Sequence, residues 1–431
     1  MRLNTKLGSV LTGGASLALA LGLGSCSRDY TVGYVYAVSA SNATISAYGI
    51  DYQTGILNQI SGSPFAATVS DPIKIVAAPN SQAIYVIGGP VGSEGNAVEE
   101  VLVGSDGKLY GSHTYNLTGT YPTAAAVDST GTFLYVTFTY QNGFTPASPG
   151  PGGVSIFPIN SDNSLGTPIT LNVGSNPVGI AVAPPVCVST PLVSGNGTCT
   201  TPTGGSGSYN VYAYVVDQET ALGKPTVLGY AQNMSTGALT PLSQNTSTGG
   251  VLQGVSAGVV PSAIAVDGTA SFVYVTDQVS NQIYGYTISR STTGNLTPMP
   301  SSPFATGAFP VAITVDPRAL FVYTANANAA TVGSFAINQA TGSLSAVAAS
   351  NFTAQAGTSC VTIDPNLGTY LYASNYVAGN ISGAELNGHT GALSAVVNTP
   401  FPTSALPSCL VAVGNGPHAV SVNFPTTGTN P

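Results

Sequence analysis

The chain has 431 residues, of which only 6% are charged, and its formal net charge is −8 with eight Lys plus Arg in all. Clustered cations are needed to neutralise nucleic-acid phosphates, so this composition argues against nucleic acid as a partner. Gly (52) and Pro (30) are abundant, yet a hydrophobic content of 43% is too high for a disordered chain. The composition indicates many short β-strands joined by tight turns.

The N-terminal segment has the pattern of an export signal. Arg2 and Lys6 form a small basic region, and residues 7–24 form an apolar stretch interrupted by Gly and Ser. The stretch ends in the sequence LGSC at 23–26, which resembles the lipobox of bacterial lipoprotein signal peptides. That resemblance implies that Cys26 is lipidated and becomes the mature N-terminus.

The same resemblance defines the first segments of the chain. A signal peptide is expected over 1–25 and a tether over 26–33, which predicts a protein anchored by lipid in the cell envelope. Ser27 occupies the position after the cysteine, and by analogy with lipoproteins this favours the outer membrane. An uncleaved N-terminal membrane anchor and an ordinary secretory peptide are the alternatives.

From residue 34 the chain repeats a unit of about 50 residues that contains four short β-rich runs, which is typical of a β-propeller. The clearest copy begins at Pro261 with PSAIAVD and continues with FVYVTD, NQIYGYTI and TTGNL. Continuously apolar runs such as PSAIAVD indicate strands that are buried on both faces. The first runs of the copies lie at 72–78, 122–128, 177–183, 261–267, 310–316, 358–364 and 407–413.

The two ends of the repeat region complement each other. The chain enters the repeat at Tyr34 without a first run, and the last first run, at 407–413, has no successors. Pairing 407–413 with 34–38 closes a ring without free edges. The sequence therefore predicts an all-β, seven-bladed propeller over 34–415.

Two segments depart from this regular pattern. The fourth copy carries an insertion over 184–208, after which its second strand is predicted to begin at Tyr209 in the run YNVYAYVVD. The C-terminal tail, 416–431, has strand character, but the repeat assigns it no place.

The strand motifs also carry a family resemblance. YVT at Tyr135 and Tyr274, YTAN at Tyr323 and the PxxIxVDP first runs resemble the YVTN-type repeat of seven-bladed lactonase-like propellers. The resemblance covers most of the mature chain and implies hydrolysis of a sugar-acid lactone, with Arg, His and acidic residues at one end of the channel. Arg318 and His389 do not match such a set, because their turns are expected at the other end.

Four first runs end in an acidic residue, namely Asp128, Asp267, Asp316 and Asp364. A ring of carboxylates is compatible with calcium binding. Each Asp also stands where a turn needs a side-chain acceptor, and turn capping is the interpretation adopted here. No metal and no cofactor are predicted.

A ligand site is predicted at the mouth face, which we define as the face formed by loops that join second to third strands and lead into first strands. Three of these loops, at 88–96, 140–152 and 217–225, are longer than the repeat requires, and they fall on blades two to four. The predicted ligand-contacting residues are Lys74, Asp217, Glu219, Lys224 and Tyr140.

Lys74 is singled out because it is a cation at a position where other copies have Ala or Gly. An anionic group is its expected ligand. The alternatives are that Lys74 extends to the channel mouth without a ligand or that it pairs with Asp71.

Four cysteines remain after Cys26, an even number that suggests two disulfides in an exported chain. Cys187 and Cys199 bracket the insertion of blade four, and Cys360 and Cys409 occupy the same position in neighbouring first strands. The second bond would join the ring at its closure. Two free buried thiols are the alternative.

Three functions are compatible with this pattern. The leading prediction is a lipid-anchored binding or scaffold protein of the cell envelope, whose partner is an unidentified small molecule or envelope protein. A lactone hydrolase is the alternative implied by the family resemblance. A structural envelope protein is the third.

Overall fold

The computed structural model describes residues 31–88, 96–117, 119–141, 143, 150–188, 193–194, 207–218, 224–248, 251–290 and 292–416. Within these residues seven antiparallel sheets, each built on a path of four strands, form the blades, and two smaller sheets lie outside these paths. The predicted all-β, seven-bladed propeller is confirmed. The predicted signal peptide, Cys26 and the tail after residue 416 lie outside the described residues.

Blades one to four contain the strands of the N-terminal part of the chain, together with the C-terminal strand that completes blade one. Their strands, from the channel outwards, are Pro407–Gly414, Thr31–Ser39, Thr44–Asp51 and Leu57–Gln59 in blade one; Pro72–Ala77, Ala83–Gly88, Ala97–Val103 and Leu109–Asn116 in blade two; Gly119–Val127, Phe133–Gln141, Gly153–Pro158 and Ile169–Asn172 in blade three; and Pro177–Val182, Tyr212–Asp217, Thr226–Gln232 and Leu239–Pro241 in blade four.

Blades five to seven are more regular. Their strands are Pro261–Val266, Phe272–Asp277, Gln282–Ile288 and Leu296–Pro298 in blade five; Pro310–Val315, Phe321–Asn326, Thr331–Ile337 and Leu344–Thr353 in blade six; and Thr358–Ile363, Tyr370–Asn375, Asn380–Leu386 and Leu393–Ala395 in blade seven.

The ring closes as predicted, through the C-terminal strand. Pro407–Gly414 pairs antiparallel with Thr31–Ser39, and Tyr34 faces Val413 while Val38 faces Cys409. Blade one is therefore built from both ends of the propeller. The closing strand thus covers the inner edge of Thr31–Ser39, which would otherwise be unpaired.

A tyrosine latch joins each blade to the next. The third or sixth residue of each second strand is a fully buried tyrosine, and its hydroxyl donates to the carbonyl oxygen of a residue with positive φ in the hairpin between the third and fourth strands of the following blade. Six acceptors are Gly and one is Asn, because the left-handed conformation favours these residues. The pairs are Tyr36–Gly107, Tyr85–Asn163, Tyr135–Gly237, Tyr214–Gly294, Tyr274–Gly342, Tyr323–Gly391 and Tyr372–Gly55, at 2.7–3.1 Å.

The acidic residues that end the first strands cap turns, as predicted. The carboxylate of Asp267 is fully buried and accepts the backbone N–H groups of Ser271 at 2.7 Å and Phe272 at 2.6 Å. Asp128, Asp316 and Asp364 bond the turn that follows them in the same way. These turns form the opposite face of the propeller.

The insertion of blade four changes one strand boundary. Ser208–Asn210 pairs with Val186–Val188, which also pairs with Val193–Ser194 in a small separate sheet. The second strand of blade four therefore begins at Tyr212, and the predicted start at Tyr209 was wrong because Tyr209 pairs with the insertion. No helix in the described part of the chain is both long and apolar enough to span a membrane.

Candidate functional site at the channel

The first strands of the blades surround a narrow central channel. Its cavity of about 220 Å³ is lined by the second, third and fourth residues of five first runs, by the second and third residues of the first run in blade two, and by two residues of the closing strand. At the second position, nearest the mouth face, stand Ile73, Thr123, Val178, Ser262, Val311, Ser359 and Ser408. At the third position stand Lys74, Ala124, Gly179, Ala263, Ala312, Cys360 and Cys409.

Four hydroxyl groups form a ring near the mouth of the channel. Each donates to the carbonyl oxygen of the residue that begins the next first strand: Thr123 to Pro177, Ser262 to Pro310, Ser359 to Pro407 and Ser408 to Pro72, at 2.5–3.2 Å. Three of these hydroxyl oxygens also pair with a hydroxyl on the second strand of their own blade, at 2.8–2.9 Å, and a hydroxyl oxygen with two lone pairs can accept one bond more. The hydroxyl ring therefore joins blades and presents acceptors. The sequence signal was Ser or Thr at the second position of four motifs, and it was missed.

Lys74 is the ionisable side chain of the channel lining. It stands among small residues, with Ala124 at the matching position on one side and Cys409 on the other. Burial in the channel wall lowers the pKa of its amine. No hydrogen bond or ion pair joins this amine to another described residue, so the alternative pairing with Asp71 is not formed within the described ranges.

Asp217 has a structural role in the same region. It ends the second strand of blade four, is fully buried, and accepts the backbone N–H groups of Asn176 at 2.7 Å and Ser175 at 3.2 Å. Its carboxylate thus holds the loop that leads into the first strand of its own blade. Asp277 does the same in blade five, where it bonds Val259 and Val260.

Of the other predicted ligand contacts, the structure describes Lys224 and Tyr140. Lys224 is exposed before the third strand of blade four, and Glu219 lies outside the described residues. Tyr140, in the second strand of blade three, packs edge to face against Tyr121 with ring centroids 5.7 Å apart. The structure therefore pairs Tyr140 with Tyr121, whereas the described contacts do not join Lys74 to Asp217 or Lys224. The ligand-binding role of these residues stays a prediction.

The channel wall contains a disulfide. Cys360 and Cys409 are bonded across blades seven and one, with Cα atoms 5.0 Å apart, which is within the range that a disulfide bridges. This confirms the predicted bond at the ring closure. Cys187 is also disulfide-bonded, and Cys199, its predicted partner, lies outside the described residues.

The histidine and arginine residues of the described chain lie away from the mouth. Arg318 bonds Asp316 at 2.7 Å on the opposite face, and His389 lies in the hairpin between the third and fourth strands of blade seven. His113, in the outer strand of blade two, stands 3.7 Å from Glu100. Across the described ranges no three His, Cys, Asp or Glu side chains are grouped closely enough to hold a metal ion.

The fold and channel define a seven-bladed propeller with a small central cavity. Residues 208–363 match the family model described as "Lactonase, 7-bladed beta-propeller". This match confirms the predicted resemblance to the seven-bladed lactonase-like propellers. A comparison with curated protein sequences gave no match.

Solved structures show the same architecture. A "putative 6-phosphogluconolactonase" from Bacteroides fragilis has a TM-score of 0.64 at 16% identity, covering 90% of this chain and 99% of its own. The periplasmic gluconolactonase of Pseudomonas aeruginosa has a TM-score of 0.63 at 16% identity, covering 89% and 99%. A functionally unknown protein from Desulfotomaculum acetoxidans has a TM-score of 0.60 at 14% identity, covering 88% and 99%. At these identities the likeness concerns the fold.

Proposed function

We propose that this chain hydrolyses a lactone in the mouth of its channel, with Lys74 as the general base. The observation that carries the proposal is a lysine with a lowered pKa in the channel wall of a lactonase-like propeller. The lactonase alternative fits the family match better than the binding or scaffold function, and both remain proposals.

The chemistry needs one proton acceptor that becomes a proton donor. A neutral Lys74 amine takes a proton from water as the water oxygen attacks the lactone carbonyl carbon. The bond between that carbon and the ring oxygen then breaks, and the Lys74 ammonium gives its proton to the ring oxygen. The product is a hydroxy acid, and the ammonium also stabilises the negative charge that develops on the carbonyl oxygen.

The hydroxyl ring supports the orientation of the substrate. Ser262, Ser359 and Ser408 direct their protons at neighbouring carbonyl groups. Ser262 and Ser359 also pair with a hydroxyl of their own blade, so each keeps one lone pair that can accept a hydrogen bond from the attacking water or from a substrate hydroxyl. The small side chains at the third position leave room for the lactone ring beside Lys74.

Retention of an anionic molecule without chemistry is a second candidate function. A specific observation favours it: in the described lining of the channel, Lys74 has no second acid or base beside it. Lys74 in its charged form would then bind a carboxylate.

The test is hydrolysis of a panel of lactones by the purified protein from Ser27 onwards, followed by pH-stat titration. Lys74→Met should lower kcat/KM about 100-fold or more, since general base catalysis contributes roughly 10²–10⁴-fold. The matched control Lys108→Met, on an exposed hairpin of the opposite face, should retain full activity. Full activity of Lys74→Met would overturn the proposed role, and carboxylate binding without turnover would support the second candidate.

The pH profile gives an independent readout. The base must be neutral, so kcat/KM should rise with pH through the pKa of Lys74. Because burial lowers this pKa, the rise should occur below the range of an ordinary lysine. A profile that does not change in Lys74→Met would contradict the assignment.

The predicted lipid anchor on Cys26 is a separate proposal about location. The LGSC sequence at 23–26 supports it. Cys26→Ala should release the protein from membranes or leave its precursor uncleaved. Unchanged membrane association and processing would refute the anchor.

A further inference from the structure

Five large apolar side chains stand exposed at the mouth face, on loops that carry no exposed charge. Two of them lie on blade five, and three lie on blade seven and before the closing strand of blade one; blade six stands between the two groups. They are between 36% and 66% exposed. We call them the apolar rim: Val259, Val279, Tyr376, Val377 and Leu406. Exposed apolar side chains grouped on one face of a protein often mark a binding surface.

The rim on blade five is fixed in place by a buried carboxylate. Asp277 accepts the backbone N–H of Val259 at 2.7 Å and that of Val279 at 3.2 Å. One carboxylate therefore holds both loops that display these valines. Val259 and Val279 are therefore displayed by loops whose backbone is held by hydrogen bonds.

The rim on blade seven is also held by backbone contacts. The N–H of Tyr376 donates to the carbonyl oxygen of Gly357 at 2.8 Å. A Cβ atom on Gly357, whose φ is +72°, would come within 2.6 Å of the Cγ2 atom of Val377. Val377 thus lies directly against this glycine, and the fit requires the absence of a side chain there.

Two side chains of the apolar rim stand on loops that lead into channel-lining strands. Val259 lies three residues before Ser262, and Leu406 lies two residues before Ser408. At about 3.3 Å per residue, these rim side chains lie roughly 7–10 Å along the chain from the hydroxyl ring. These rim side chains therefore stand just outside the hydroxyl ring along two of the strands that line the channel.

The distribution of cations disfavours a phosphorylated molecule. Within the described ranges the mouth face offers Lys74 in the channel and Lys224 on blade four, whereas Lys108, Arg290 and Arg318 lie on the opposite face. Phosphate is usually held by several charged or N–H donors, and the apolar rim provides no charged side chain.

We propose that the substrate is a lactone bearing an apolar chain, with its ring beside Lys74 and its chain on the apolar rim. The inference rests on the proposed function for the identity of the reacting group. The apolar rim binds the alkyl chain of the substrate, and the channel binds its lactone ring.

The test is a series of γ-lactones with unbranched alkyl chains from methyl to decyl. In the wild-type protein kcat/KM should increase by about two- to fourfold per added methylene until the rim is covered. The double variant Val279→Ser, Val377→Ser should flatten this dependence, so that the ratio of kcat/KM for the decyl lactone to that for the methyl lactone falls. Val397→Ser, which changes a side chain that is 63% exposed in the outer part of blade seven, is the matched control and should leave the dependence intact.

Binding of the corresponding alkyl lactams, measured by calorimetry, separates the two proposals. Lactams resist ring opening, so affinity that rises with chain length in the absence of lactone turnover would sustain the rim and overturn the hydrolase. Hydrolysis or binding that is independent of chain length, including a preference for phosphorylated lactones, would overturn the rim while leaving the hydrolase intact. No turnover and no lactam binding would overturn both.

Discussion

The two faces of the propeller differ in how they use their polar groups. On the opposite face, the carboxylates that end the first strands accept backbone N–H groups, and the tyrosine latches reach the neighbouring hairpins. On the mouth face, Asp217 and Asp277 also hold loops, but the Lys74 amine has no described partner and the apolar rim is exposed. Both faces join blades, through the tyrosine latches on the opposite face and the hydroxyl ring near the mouth, but the mouth face also presents groups for binding.

The largest expected effect on stability is on the opposite face. Asp267→Ala removes one buried carboxylate and leaves the N–H groups of Thr269, Ser271 and Phe272 without an acceptor, which should cost about 3 kcal/mol or more. Asp267→Asn keeps one acceptor oxygen and should cost less. Denaturant unfolding measures both.

The control for Asp267 is Asp106→Ala, which removes an exposed carboxylate from a hairpin and should leave the unfolding free energy nearly unchanged. If Asp267→Ala were as mild as this control, the buried carboxylates would not hold the turns, and the contrast between the faces would lose its main support.

A smaller effect is expected from one tyrosine latch. Tyr274→Phe keeps the aromatic side chain and its packing but leaves the Gly342 carbonyl oxygen without its donor. The unfolding free energy should therefore fall by about 1–2 kcal/mol. Tyr110→Phe, in the exposed outer strand of blade two, should be nearly neutral. Equal effects of the two changes would show that the latch hydroxyls do not join the blades.

The sequence predicted the ring because its apolar runs recur at a fixed spacing. The orphan run at 407–413 was enough to predict the pairing with Thr31–Ser39, and the matching positions of Cys360 and Cys409 predicted their disulfide. These features follow from the spacing of the repeats, which can be read from the sequence alone.

The site was harder to predict, since it depends on which side chains meet in space. Asp217 is predicted to contact ligand because charge is scarce in this chain, and the sequence did not indicate that its carboxylate accepts two backbone N–H groups of its own blade. The hydroxyl ring and the apolar rim are formed by residues from different repeats. Within its own repeat each of these residues is ordinary. Only the closed propeller brings residues of different repeats to the same face.

The smallest effect on stability is expected at Lys74, and it has the opposite sign. A lysine whose pKa is lowered on folding binds fewer protons in the folded state than in the unfolded state, so wild-type stability rises with pH from the lowered pKa towards the ordinary value of 10.5. Below that window the folded protein bears the cost of a charge in the channel wall. Lys74→Met removes this charge and should stabilise the fold by about 1 kcal/mol at neutral pH, by an amount that shrinks as the solution becomes alkaline. Denaturant unfolding of wild type and Lys74→Met, at neutral pH and again in alkaline solution, measures the difference in unfolding free energy. Lys108→Met is the exposed control. A variant that is less stable than wild type at neutral pH would mean that the Lys74 amine is held by favourable contacts, and the mouth face would then lack the unpaired group on which the proposed chemistry depends.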